Sequence, residues 1–566
     1  MSAAATRPIG APIEPPPIAE RLPWRSWEDG RAEARRTGRP LLVFAEPEWT
    51  TSSQRLALHL SERPEACAWL EEHWVSVLLD PWQHPDLAAW LRFEAVTITG
   101  DPGPPLLVLL DARARPFLAY GTLAYEGAAD HPSLESLLRA AFELHQEEPE
   151  RLRREAEKRT RHSLVAAPAR SEDFIDALLN DADTTHGGFR AGTKVPQPQA
   201  LLALLEAHDR DPAARVAALL EATLVGLERG GIVDQLGYGF HRAARDERWV
   251  VPHFEKPVPI SAALANVFAR AGQAFGVAHW LELAGETLDW VTMALEAEWD
   301  AVAADSGYYT WTAQEVRRLA TPDTLQVLGI HYHLTPSPLR IALHQAVPVD
   351  RLADFSNESD DVLRDRLESG RDQLRTARRQ RLTPATLAAP GPSWSADALV
   401  MAYACALALE RDTSALDRVS ELLARRTDAE ASVARADGAI YLEDEAGVAH
   451  ALLVAARASG RRSLGDAGAR LLDAVLGRQR AAGDLPLRVP EPATGETPSS
   501  RFGVFDHDLA SPVSHLLAAL RLAPDRLTKA RGRIIQAHGT ASACDPVRAA
   551  GFWREAMLAT PEAASG

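Results

Sequence analysis

Residues 104–120 read PPLLVLLDARARPFLAY, and this stretch decides the fold of the first quarter of the chain. Five consecutive apolar residues, Leu106–Leu110, follow a Pro pair, which is the pattern of a strand buried on both faces. Asp111 to Ala114 supply a turn, and Pro116–Tyr120 can pair back as a second strand. Working outward, Leu41–Ala45 (LLVFA) and residues 74–79 (WVSVLL) are two more buried strands. Helical patterns cover 27–36 and 63–73, the first closed by Gly38-Arg39-Pro40. Ser133 caps a helix running to about Glu147, with Leu134, Leu137, Leu138, Ala141 and Leu144 on one face. Strands alternating with helices over this length predict a small α/β domain.

Past residue 150 strand-like runs nearly vanish. Amphipathic segments recur at 171–180, 197–208, 212–229, 258–275, 279–298, 313–328, 395–410, 414–427, 444–459, 463–480 and 508–522. Their unequal loops argue against a regular solenoid and for a toroid of helical hairpins. Residues 356–381 are highly charged with sparse apolar positions and read as a solvated helix. The first twenty residues, rich in Pro and Ala, read as an extended tail.

The chain has 566 residues with 61 basic and 78 acidic side chains, a net charge of −17. That balance argues against a nucleic-acid or anionic-membrane partner. Three cysteines, Cys67, Cys405 and Cys544, make neither a disulfide framework nor a zinc site. No run is long enough to span a bilayer, and residues 1–20 lack a secretory pattern, so a cytoplasmic location is expected. Nothing in the sequence implies a cofactor or metal.

Three segments do not suit a plain helix: 180–198 (NDADTTHGGFRAGTKVPQP), 228–256 (ERGGIVDQLGYGFHRAARDERWVVPHFEK) and 299–312 (WDAVAADSGYYTWT). Gly-rich loops carrying aromatic, His and acidic residues either line a pocket or plug the toroid and order its rim. The block from Gly230 to Lys256 resembles the signature of the thioredoxin-domain-containing proteins related to spermatogenesis-associated protein 20. Trp24–Trp27, Glu72–Val75, residues 193–198 (TKVPQP), 308–312 (YYTWT) and 341–344 (IALH) extend the resemblance over nearly the whole chain. It implies a thioredoxin-like domain at 21–150 followed by an (α/α)6 helical-hairpin barrel of six-hairpin glycosidase type at 165–566, with residues 1–20 as a tail. Pro105 sits where thioredoxin folds carry their cis-proline.

The departures bear on function. Where the family has Cys-His-Trp-Cys-His, this chain has Thr50-Thr51-Ser52-Ser53-Gln54. Dithiol exchange needs two sulfurs, so Thr50 and Ser53 exclude thioredoxin-type redox chemistry and read as helix-cap residues. Cys67 reads as a buried structural thiol. The barrel also loses an aromatic-Asp-Asn run (Pro257–Ser261 here) and a Ser-Trp-Asn amide (Ser393-Trp394-Ser395), and Asp-Asp-Tyr-Ala becomes Glu443-Asp444-Glu445-Ala446.

The surviving polar residues define the expected site. His241, His253 and Glu255 are the candidate acid/base set, since epimerisation beside a carbonyl needs a base and an acid near neutrality. Glycoside hydrolysis would need two carboxylates across one bond, for which Glu255 and Asp444 are available. Lys194, Asp234, Gln235, Arg242, Trp249, Tyr308 and Asp444 are the candidate ligand-binding residues. The bland reading of His253 and Glu255 is that they brace loop backbone. His331-Tyr332-His333 would put two imidazoles on one side of a strand and, with His344, reach a metal, though an incidental loop explains them as well. Asp506-His507-Asp508 reads equally as a helix N-terminal turn. The expected function is a degenerate, non-redox thioredoxin-like domain joined to a barrel taking a small carbohydrate ligand, epimerase- or glycosidase-like. The alternative is a non-catalytic scaffold whose thioredoxin-like domain meets a protein partner.

Overall fold

The computed structural model describes residues 22–99, 105–121, 133–162, 171–190, 192–304, 306–356, 358–381, 384–389, 391–427, 432–436, 438–478, 485–489, 503–506, 509–523, 525–542 and 545–558. The proposed tail at 1–20 and residues His507 and Asp508 lie outside them. The chain forms two compact units. One comprises Leu179–Ala388 and Ala398–Val419. The other comprises the described parts of Glu14–Leu178, Ala389–Asp397 and Ser420–Gly566.

In the second unit the first elements are α1 (Trp27–Thr37), β1 (Leu41–Ala45), α2 (Thr51–Ser61), α3 (Pro64–His73), β2 (Val75–Leu79), α4 (Pro85–Thr99), β3 (Leu106–Leu110), β4 (Pro116–Tyr120) and α5 (Leu134–Glu147). The sheet order is β2-β1-β3-β4. β1 runs parallel to β2, while β3 is antiparallel to both β1 and β4. The four runs read as strands are these four strands. β1 and β3 are buried along their whole length because helices cover both faces. One core lies under α2, α3 and α5, with Phe44, Leu109, Trp74 and Leu138; the other lies under α1 and α4, with Val43, Val108, Leu91 and Trp27. Parallel β1 and β2 end at the same edge of the sheet where antiparallel β3 begins. The Thr50 turn, the Asp80–His84 loop and Pro105 therefore share that edge.

The helical part is built from hairpins. Val258–Phe275 packs along Ala278–Glu296 in the first unit, and Leu442–Ser459 along Arg462–Gly477 in the second. The first member of each pair is buried almost all round, whereas the second is amphipathic, as an inner-and-outer helix arrangement requires. Pro257 and Pro259 start the Val258 helix, where a missing N–H costs nothing. The single helix expected over 313–328 is two, Ala313–Leu319 and Pro322–His331, because Thr321 caps the second and Pro322 cannot continue the first. Residues 356–381 contain the expected helix, Asp360–Arg378, solvated along its charged face, with one buried stripe. Leu363, Leu367 and Leu374 pack into an apolar core with Val316, Val327 and Leu328, and Arg378 is buried beside them because a carboxylate elsewhere in the unit receives it.

Candidate functional site

The Gly-rich block of the first unit folds into short turns held by buried charge. Asp234 Oδ1 accepts the amides of Leu236 (3.2 Å) and Gly237 (3.1 Å), closing an Asx-type turn. The same oxygen accepts Arg378 Nη1 at 2.7 Å, and Oδ2 accepts Lys256 Nζ at 3.0 Å. Lys256 also donates to Tyr238 O at 2.6 Å and lies 4.5 Å from the Trp290 ring centre. Arg378 sits over Tyr308 at 5.2 Å and Tyr309 at 5.8 Å. Burial works against the Asp234 charge, but Arg378 and Lys256 outweigh it and hold the carboxyl well below its ordinary range. Burial lowers the Lys256 ammonium, with Asp234 opposing.

His241 lies against this cluster, edge-on to Tyr309 at 4.7 Å and to Phe254 at 5.6 Å. Burial, reinforced by the Lys256 charge, brings its imidazole down to about 3, so it is neutral at physiological pH and a weak base. Its Nδ1 has no partner among the described residues. The cavity it shares with Asp234, Gln235, Tyr309, Trp311 and Arg378 measures about 10 Å³. That is the size of one water and excludes a sugar ring.

The other expected residues of this unit serve the loops. Lys194 is fully buried and donates to Asp183 Oδ2 (2.7 Å), Gly187 O (3.0 Å) and Arg190 O (2.6 Å), saturating its three protons. Burial opposes the Asp183 charge, but Lys194 and the His186 and Thr185 amides bring that carboxyl down to about 2. Trp249, also fully buried, donates Nε1–H to His186 O at 3.0 Å from a backbone at φ +66°. Its ring fills space that a side chain on Gly188 or Gly226 would occupy. Gln235 donates to Glu228 O and Gly230 O and accepts from Gln345. The main chain joins Arg242 N to Glu255 O and His253 N to Ala243 O, each at 2.8 Å. His253, Glu255 and Arg242 are buried, Tyr308 half-buried.

His331 ends a helix rather than lying on a strand. Its Nδ1 meets Val347 O at 2.7 Å, and burial beside Arg371 brings the imidazole down to about 3. Among the described residues no group of three or more His, Cys, Asp or Glu could hold a metal ion.

In the second unit, Thr50 caps α2 by accepting Ser53 N at 3.2 Å, and Ser53 Oγ donates to Pro47 O at 2.7 Å. Both side chains are buried at the sheet edge, as is Pro105. Trp49 meets Trp82 edge-on at 4.7 Å, and Trp82 lies 3.8 Å from Trp394. Cys67 is half-buried, its Sγ 3.3 Å from Leu60 O.

Asp444 is clamped by Arg435, Nε to Oδ2 at 2.6 Å and Nη2 to Oδ1 at 3.2 Å. Glu443 accepts Ser393 Oγ at 3.2 Å. Glu443 and Asp86, at the start of α4, face a cavity of about 10 Å³.

The pattern also hides a second imidazole pair. His450 and His515 approach Nδ1 to Nδ1 at 2.9 Å, and His515 Nε2 lies 3.0 Å from Asp397 Oδ1. Only one of two facing nitrogens can carry the proton, and burial beside His515 holds His450 well below its ordinary value. These three residues come from three helices, with His450 and His515 65 residues apart; no local spacing announces them.

Residues 17–164 match the family described as a protein of unknown function, DUF255, of thioredoxin-like DsbH type. Spermatogenesis-associated protein 20 of Homo sapiens is 26% identical over 362 residues, covering 55% of this chain and 45% of that protein. The Mus musculus protein is 27% identical over 291 residues, covering 44% and 36%. The chain thus matches less than half the length of these relatives. Among solved structures, cellobiose 2-epimerase from Bacillus thermoamylovorans (9% identity, 65% of this chain and 86% of that one, TM-score 0.38) resembles it. So does an α-1,6-mannanase of Salegentibacter (12% identity, 69% and 98%, TM-score 0.35). Scores this low describe a loose likeness to helical barrels and say nothing of substrate. Residues 17–164 thus match a thioredoxin-like family model, and about half of the chain is similar to spermatogenesis-associated protein 20.

Proposed function

We propose that the barrel is carbohydrate-directed, of epimerase or glycosidase type, and that the thioredoxin-like domain has no redox role. The observation that carries the reading is the convergence in the second unit of an aromatic platform (Trp394, Tyr441), a guanidinium (Arg435) and two carboxylates (Glu443, Asp444). Aromatic faces stack on sugar rings while charged groups bond their hydroxyls. Acid/base chemistry falls to the carboxylates, because burial lowers the imidazoles of both His241 and His450. His241, His253 and Glu255 then brace the loops of the first unit.

Saturation-transfer NMR of the full chain with D-glucose, D-mannose and cellobiose reads millimolar binding directly. Transfer to the protons of at least one sugar, reduced in Glu443→Gln, is expected; no transfer to any of them from the wild type or from a folded Asp80→Ala variant would end the carbohydrate reading. A scaffold role is the second reading. It is favoured by the small size of the two cavities at the candidate residues, about 10 Å³ each, and by the burial of the redox positions. It predicts a protein partner and no sugar response.

A further inference from the structure

The second unit contains a contact that neither a redox domain nor a plain barrel needs. The Asp80–His84 loop leaves the sheet edge that also carries the Thr50 turn and Pro105, the edge where strand ends commonly meet ligands. The loop is preformed: Asp80 Oδ1 accepts Trp82 N at 2.8 Å, and Asp80 O accepts the amides of Gln83 (3.1 Å) and His84 (3.0 Å). Its outward groups are an indole and two carbonyls. The Trp82 indole packs against Trp394 at a tilt of 44°, ring centres 3.8 Å apart. Trp82 O accepts Arg435 Nη1, and Gln83 O accepts the Tyr441 hydroxyl at 3.0 Å. Arg435 is fixed for this by Asp444 and by the Tyr441 ring, 4.2 Å away.

An apolar ring packed against an indole, with two oxygen acceptors beside it for a guanidinium and a phenol, is a contact set that a sugar ring bearing two hydroxyl oxygens can reproduce. We propose that the Asp80–His84 loop is a built-in stand-in for a monosaccharide, an autoinhibitory plug in a subsite formed by Trp394, Arg435, Tyr441, Glu443 and Asp444. The proposal rests on the carbohydrate reading and adds that the thioredoxin-like domain is its gate. It also accounts for the missing sulfurs, since a domain whose former redox edge is buried in its own chain has no use for them.

The test is isothermal titration of D-glucose, D-mannose and cellobiose into the full chain, wild type beside Trp82→Ala and Asp80→Ala. Asp80→Ala loosens the turn while leaving Trp82 and every barrel group in place, so it keeps the test open if Trp82→Ala fails to fold. A site open one part in a hundred binds about a hundredfold more weakly than a free one, so a gain of roughly tenfold or more for at least one sugar is expected. Equal affinity in wild type and folded variants would overturn the plug and leave the carbohydrate reading standing. No binding by folded variants whose residues 80–84 exchange amide protons faster than in the wild type would overturn both.

Discussion

Replacing Asp234 with Ala strips one buried carboxylate from two buried cations. Lys256 and Arg378 lie 3.0 and 2.7 Å from it, and the three side chains are at most 9% exposed. Breaking a buried pair from one side costs about 3–5 kcal/mol because the remaining charge is left unpaired. For a unit of this size that lowers its melting temperature by on the order of 10 °C. The loss is pH-dependent, with a sign the structure fixes. Burial already depresses the Lys256 ammonium, and without Asp234 it falls further. A lysine whose folded pKa is depressed binds fewer protons folded than unfolded, so stability rises as pH climbs from the folded value toward the ordinary one. Arg378 cannot shed its proton, so recovery is partial. Calorimetric melting of wild type, Asp234→Ala and Asp234→Asn at pH 6 and pH 9, at one scan rate, should show a large deficit at pH 6 that shrinks at pH 9. Asn, which keeps the turn acceptor, should fall between. A shift below about 2 °C for Asp234→Ala at both pH values, or a deficit growing with pH, would refute the reasoning.

Thr50→Cys with Ser53→Cys should restore no disulfide-reductase activity, because both positions are buried; insulin reduction at a rate above background would contradict this. Lys194→Met removes three donated hydrogen bonds and should cost about 2–4 kcal/mol, seen as faster proteolysis within residues 181–194; unchanged cleavage counts against it. Asp86 Oδ1 has no partner among the described residues, and burial raises its carboxyl. A raised folded pKa gives stability that is present at low pH and lost as pH rises through it. Asp86→Asn should therefore melt higher than wild type at pH 8, with the gap narrowing at pH 4; a lower melt at pH 8 would sink the argument.

The thioredoxin-like domain was legible because β1 and β3 are apolar throughout and bounded by Pro, and because Thr50 and Ser133 have cap chemistry that the structure uses. α4 escaped notice: Leu87, Ala88, Ala89, Leu91, Phe93 and Ala95 are all buried, so the helix has no polar stripe to set its period. Charge patterning marks the Asp360–Arg378 helix and its solvated face but not the partner of Arg378. Arg378 looks solvated until the fold brings Asp234, 144 residues earlier, beside it. The motif residues Asp234, His241 and Lys256 do converge, as their shared block suggested. What spacing could not show is that they pack into a dry ion cluster with room for one water. The contact of Trp82 with Trp394 was likewise invisible, since it joins segments more than three hundred residues apart.

A sugar that displaces the loop at the sheet edge leaves an exchange signature in both segments, loop and subsite. Amide hydrogen exchange of the wild-type chain, with and without saturating cellobiose or D-mannose, reads this without any substitution. Displacement of the stand-in predicts faster exchange at residues 82–84 together with slower exchange at 438–445. Slowing at both segments, or no change at either, would contradict it.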